Sequence, residues 1–271
     1  MSRIRNCFKQ LKSQNKKAFI TYLTAGDPNI ETSLNLMHAL VKAGADIIEL
    51  GYPFSDPSSD GAVIQRAVER SLAKHTKLKD IFTLVQRFRE DNQDTPLVLM
   101  GYLNPIERMG YQHFADNAEE VGVDGLLVVD MPPEESHDLL RTLHGSELDC
   151  IFLVAPTTDE KRAKQICELS SGYVYYVSLK GVTGASHIDI DSVRTNVNRL
   201  KSYCKIPIGI GFGIKDAETA MKLGKLADAI VVGSALVNLI AELEDGNEYS
   251  REELFNHIAL MADIRTALDI G

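Results

Sequence analysis

A chain of 271 residues with 44% hydrophobic and 25% charged residues has the make-up of an ordinary folded protein, and its length suits one domain spanning residues 1–271. That composition excludes extended disorder and collagen-like repeats, and a net charge of −9, from 38 acidic against 29 basic residues, argues against nucleic acid as a partner. No apolar run reaches the roughly 18–20 residues of a membrane span, and the polar stretch Met1 to Gln14 lacks a signal-peptide core, so a cytoplasmic location is expected.

An extra helix is expected at the N-terminus, ahead of the first apolar run. Eight candidate strands then follow: Ala18 to Leu23, Asp46 to Leu50, Pro96 to Gly101, Gly125 to Val129, Cys150 to Val154, Tyr173 to Val177, Pro207 to Ile210 and Asp228 to Val232. These runs are nearly continuous in Val, Ile and Leu, which suits parallel strands covered on both faces by crossover helices. Helical patterns fill the intervals at Asn29 to Ala43, Pro133 to Leu143, Asp159 to Leu169, Ile190 to Tyr203, Lys215 to Leu223 and Ser234 to Leu243, with a further helix opening at about Ala62. Glycine junctions at Ala43-Gly44-Ala45-Asp46, at Val121-Gly122-Val123-Asp124 and, more loosely, from Leu223-Gly224 to Asp228 look like helix ends that feed the next strand. A doubly wound open sheet would use the same junction, but eight βα units ending in glycine loops favour an α/β fold of the (β/α)8 TIM-barrel type.

Cys7, Cys150, Cys167 and Cys204 are scattered without a C-x-x-C pair, and the seven histidines are dispersed. Reduced packing thiols and no metal site are therefore expected.

In a β/α barrel the chemistry sits in the loops that leave the strands' C-terminal ends. Gly181-Val182-Thr183-Gly184, Gly211-Phe212-Gly213 and Gly233-Ser234 follow the last three runs. Converging there, their amides and the start of a helix at Ser234 would cradle a phosphate, although any one such glycine loop is commonly only a turn. The second run ends Ile47-Ile48-Glu49-Leu50-Gly51. A carboxylate among apolar neighbours is costly, and its raised pKa suits a general acid/base; the alternative is a Glu paired with a Lys or a backbone donor. Asp60, in the proline-containing loop Tyr52 to Gly61, is equally readable as a catalytic carboxylate or as the N-cap of the helix that follows.

The segment Glu49-Leu-Gly-Tyr-Pro-Phe-Ser-Asp56-Pro-Ser-Ser-Asp60-Gly61 resembles the signature of the tryptophan synthase α subunit family. Thr24 to Pro28, Asn104-Pro105, Asp130 to Glu135, Ala155 to Thr158, Gly181 to Gly184 and Gly211 to Ile214 resemble further family motifs, in family order along the whole chain. The resemblance implies a retro-aldol lyase that splits indole-3-glycerol phosphate into indole and glyceraldehyde 3-phosphate. It makes Glu49 the group that protonates indole C3 and deprotonates the side-chain hydroxyl. It makes Asp60 the carboxylate that stabilises positive charge at the ring nitrogen and then accepts its proton. Tyr175 would orient Glu49, unless it is a barrel-core aromatic.

Gly184, Gly213, Gly233 and Ser234 would hold the phosphate, and Tyr22, Met100, Leu127, Thr183 and Phe212 would form a mostly apolar slot for the indole, several of them also readable as core residues. The resemblance implies no cofactor in this chain and a partner, a β subunit carrying pyridoxal phosphate, in a linear αββα heterotetramer of α2β2 composition. The docking surface would include Pro53, Asp56, Asn104 and Pro132, positions that otherwise read as ordinary solvated loops. Ser58-Ser59 departs from the family's usual apolar and small pair, which bears on loop closure and partner contact rather than on the chemistry. Two rival readings are another phosphate-binding barrel enzyme and a degenerate α subunit that only activates its partner.

Overall fold

A computed structural model describes residues 2–178, 189–211 and 213–270. Its eight strands are β1 (Ala18–Thr24), β2 (Ile47–Gly51), β3 (Leu97–Gly101), β4 (Gly125–Val128), β5 (Asp149–Val154), β6 (Val174–Val177), β7 (Ile208–Gly211) and β8 (Ala229–Val232). Each pairs in parallel with the next, and β1 pairs with β8 from Ala18↔Ala229 to Thr21↔Val232, which closes the barrel. The chain is thus a (β/α)8 TIM barrel, and every expected strand lies within one residue of its observed limits.

Two packed layers account for the strand pattern. Inside, Ala18, Ile20, Ile47, Val98, Ile151, Tyr173 and Ala229 form a cluster into which Ile4 and Phe8 of the N-terminal helix Arg3–Ser13 insert, plugging the barrel's lower end. Outside, the other residues of the same strands, such as Phe19, Ile48 and Leu99, pack against the helices. Strands buried on both faces have no polar side to write into the sequence, hence their continuous apolar runs.

Aspartates mark the strand entries. The Asp46, Asp124 and Asp228 carboxylates accept the backbone N–H of Phe19 (2.8 Å), Leu97 (2.8 Å) and Ile208 (3.0 Å) at neighbouring strands. Asp124 is also held by Arg89 at 2.7 Å and Arg3 at 2.9 Å. The lower face is thereby fastened by polar groups whose partners are all internal.

Helix limits depart from expectation in several places, with the helix expected to end at Tyr203 ending at Lys201 and the one expected to begin at Lys215 beginning at Ala217. The stretch Pro133 to Leu143 divides into a 3₁₀ turn, Pro133–Glu135, and a helix, His137–Leu143, because the Ser136 hydroxyl turns back to the Pro133 carbonyl at 2.7 Å. The helix from Ser234 stops at Ile240 rather than Leu243. Gly44 and Gly122 end their helices with φ of +94° and +88°, as expected, but Gly224 is the last residue of the helix Ala217–Gly224. Its role is close approach: a Cβ there would lie 2.6 Å from Leu268 Cδ2 of the C-terminal helix Ala259–Ile270.

Candidate active site

Glu49 stands on β2, two residues from the strand's upper end, with no exposure to solvent. One carboxyl oxygen, Oε1, accepts from the Tyr173 hydroxyl at 2.5 Å, and Oε2 has no partner among the described residues. Among the described residues neither a lysine nor a backbone donor satisfies it, which counts against the paired-Glu alternative. Burial raises its pKa to about 7, against which the Tyr173 hydrogen bond works in the opposite sense.

Asp60 lies in the loop between β2 and the helix Ala62–Ala73. The helix's N-cap is Gly61, with no side-chain cap, and Asp60 Oδ2 instead accepts from the Tyr102 hydroxyl at 3.0 Å. The capping role for Asp60 is thereby excluded. Burial lifts its pKa to about 6. Tyr102 is itself fixed: Ser59 N–H donates to its hydroxyl at 2.9 Å, its carbonyl accepts from the Tyr52 hydroxyl at 2.8 Å, and Phe54 stacks on its ring at 5.2 Å. The loops after β2 and β3 therefore aim one carboxyl together.

Both carboxyls act on the same neighbours. The charges of Asp60 and Glu49 bear on the hydroxyls of Tyr22 and Tyr175, which burial and these charges hold well above the usual tyrosine range. The tyrosines fit because strand-end glycines leave room: a Cβ on Gly51 would overlap the Tyr22 hydroxyl, and one on Gly211 would overlap that of Tyr175. Gly211, read above as part of a phosphate loop, thus seats a tyrosine of the adjacent strand.

The hydroxyl that bonds Glu49 belongs to Tyr173, not to Tyr175. Strand alternation puts residues 173 and 175 on one face, so the Tyr-Val-Tyr spacing held this signal, and Tyr102 was marked by following directly on an apolar run. Tyr22 is buried, its hydroxyl 3.2 Å from Thr24 Oγ1. Met100 packs both against Tyr22 and with the barrel interior, whereas Leu127 is wholly buried in the interior cluster. Gly213 follows β7, and Gly233 and Ser234 leave β8, with Gly233 alongside Tyr22. Thr183, Gly184 and Phe212 fall outside the described residues. Pro53 and Pro132 are half-buried, and Asp56 and Asn104 exposed, in the segments that leave β2, β3 and β4.

Among the described residues no cluster of His, Cys, Asp and Glu is placed to hold a metal ion, and no helix is long and apolar enough to cross a membrane. The four cysteines are free thiols.

Comparison with known proteins gives one answer. A family profile described as tryptophan synthase alpha chain matches residues 8–265. The tryptophan synthase alpha chain of Thioalkalivibrio sulfidiphilus is 54% identical over 99% of this chain and 100% of its own, and that of Neisseria gonorrhoeae is 56% identical over 92% and 94%. Among solved structures, the tryptophan synthase alpha subunit of Legionella pneumophila superposes with a TM-score of 0.91 at 41% identity, covering 100% of both chains.

Proposed function

This chain belongs to the tryptophan synthase alpha chain family, whose members cleave indole-3-glycerol phosphate to indole and glyceraldehyde 3-phosphate in tryptophan biosynthesis, and on that premise we propose that Glu49 and Asp60 carry the cleavage. The chain is accordingly a carbon–carbon lyase, and an alpha chain implies a beta-chain partner.

In the proposed mechanism Glu49 delivers a proton to indole C3, which leaves positive charge on the ring nitrogen. The carboxylate so formed takes the proton of the hydroxyl on the attached side-chain carbon, a carbonyl forms, and the carbon–carbon pair returns to the ring as indole departs. One group serves both steps because a pKa of about 7 populates both its forms near neutrality. Asp60 faces the ring N–H and stabilises the transient cation, in a site where burial strengthens the interaction. Tyr173 orients Glu49 directly, with Tyr175 behind it. Tyr22, Met100, Leu127, Thr183 and Phe212 line the indole slot, and Gly184, Gly213, Gly233 and Ser234 donate to the phosphate.

The remaining proposals concern assembly. Pro53, Asp56, Asn104 and Pro132 belong to the surface that meets the beta chain in a linear αββα heterotetramer. Pyridoxal phosphate resides in the beta chain, this chain of one domain (residues 1–271) uses no cofactor, and the enzyme works in the cytoplasm.

The observation that carries this reading is the pair of carboxyls at one barrel end, Glu49 fully buried and Asp60 half-buried, each with a tyrosine donor and, among the described residues, Glu49 Oε2 with no partner. The test is indole release from indole-3-glycerol phosphate by the wild type, Glu49→Gln and Asp60→Asn. Each substitution is expected to cost about 10²–10⁴-fold or more in kcat, while Asp60→Asn still activates the beta chain. Full cleavage by either variant would remove its residue from the mechanism.

A further inference from the structure

The lower face of the barrel, opposite the carboxyls, carries a feature the lyase reaction does not use. A cleft of about 900 Å³ opens between the N-terminal helix and the segment entering β7. Its floor is apolar, made by Phe8, Leu11, Ile206 and Pro207. Its walls are basic. Arg5, Lys9 and Lys12, spaced four and three apart, share the exposed side of the helix, and Lys16 and Lys17 extend that wall. Lys201 and Lys205 face them from across the cleft, and Asp228, the one acid in the lining, is engaged by the Ile208 N–H at 3.0 Å.

Two observations set this cleft apart from an ordinary solvated surface. No acid occurs in the chain before Asp27, although the whole chain is acidic. Among the described residues Lys16 pairs with Asp269 at 3.3 Å, and none of the other six cations makes an ion pair. Holding several unpaired like charges around one concavity is unfavourable unless an anion completes it.

We propose that this cleft binds a small anion carrying a chain of two or more phosphates, the nucleoside di- and triphosphates being the class whose planar body would also use the apolar floor. Cations stand on both sides of the floor, which suits a chain of phosphates better than a single one. The volume lies in the range of small-molecule sites. A long polyanion is disfavoured: with these seven cations set aside from the chain's 29, the rest of the molecule has 22 against 38 acids and would repel it.

The experiment is calorimetric and NMR titration of the full-length chain in about 150 mM salt, where exposed single charges are largely screened. Glycerol phosphate at saturation keeps the substrate's phosphate site occupied. ATP, tripolyphosphate, inorganic phosphate and a single-stranded oligonucleotide are compared. ATP and tripolyphosphate are expected to bind at least tenfold more tightly than inorganic phosphate and to shift amides of residues 5–17 and 201–208. A further gain for ATP over tripolyphosphate would assign the floor to the nucleoside; equal affinity would assign the site to the phosphate chain alone. Lys9→Glu with Lys201→Glu should weaken binding at least tenfold, and the exposed Lys79→Glu, outside the cleft, should not. Affinity no better than that of inorganic phosphate, amide shifts elsewhere, indifference to the double charge reversal, or tighter binding of the oligonucleotide would each overturn the proposal.

Discussion

Glu49 combines complete burial with a single donor, and the balance between them sets its proton affinity. Burial disfavours the carboxylate and the Tyr173 hydroxyl favours it, so Tyr173→Phe should move the Glu49 midpoint upward from about 7, read from its carboxyl resonance in a 13C titration. A fall or no change would remove Tyr173 from the arrangement. The same burial links pH to stability. The folded value of about 7 exceeds the ordinary 4.5, so the folded chain holds a proton that the unfolded chain gives up, and stability is lost as pH rises from 4.5 through 7. Glu49→Gln escapes that loss. Its advantage over wild type in unfolding free energy, read from urea titrations, should be absent near pH 4 and reach about 3 kcal/mol above pH 7, from roughly 1.4 kcal/mol per unit. Glu49 was legible because a charged residue inside an apolar run has few innocent explanations. Asp60 was not, since an aspartate just before a helix serves as cap or as catalyst until the backbone shows that Gly61 takes the cap position.

Strand entries show the same mixture of legible and hidden at the scale of elements. The eight strands could be read because burial on both faces makes each a continuous apolar run. Their ends slipped by one residue because Asp46, Pro96, Pro207 and Asp228 belong to the entry turns, where proline has no N–H to give and aspartate caps a neighbour. The helices Leu78–Asp91, Leu103–Met109, Tyr111–Glu120, Arg251–His257 and Ala259–Ile270 went unread, although Ser250 and Glu253 form a capping box whose spacing is visible in the sequence. What no local pattern reveals is Asp124, buried with Arg89 and accepting the Leu97 N–H from 27 positions away. Asp124→Ala strands the Arg89 guanidinium and should cost about 3–5 kcal/mol in urea denaturation, with cleavage activity retained below the midpoint.

For the whole molecule, function rests on a separation of the two barrel ends. The carboxyls and the segments carrying Pro53, Asp56, Asn104 and Pro132 lie at the strands' upper ends, so a beta chain seated there would press on the Tyr102–Asp60 contact directly. Cleavage should therefore rise at least tenfold when a beta chain is added, and Tyr102→Phe, which cuts the link while keeping the ring, should blunt that stimulation; an undiminished response would place the coupling elsewhere. The lower end is fastened by aspartates and by the plug of Ile4 and Phe8. Closure through Ala18 and Ala229 also has a history during synthesis. The first strand leaves the ribosome while its last neighbour has yet to be made, so every nascent chain passes through a stage with two bare parallel edges. Those edges stay open until the final strand arrives, and a slow stretch of translation just before β8 would prolong the exposure.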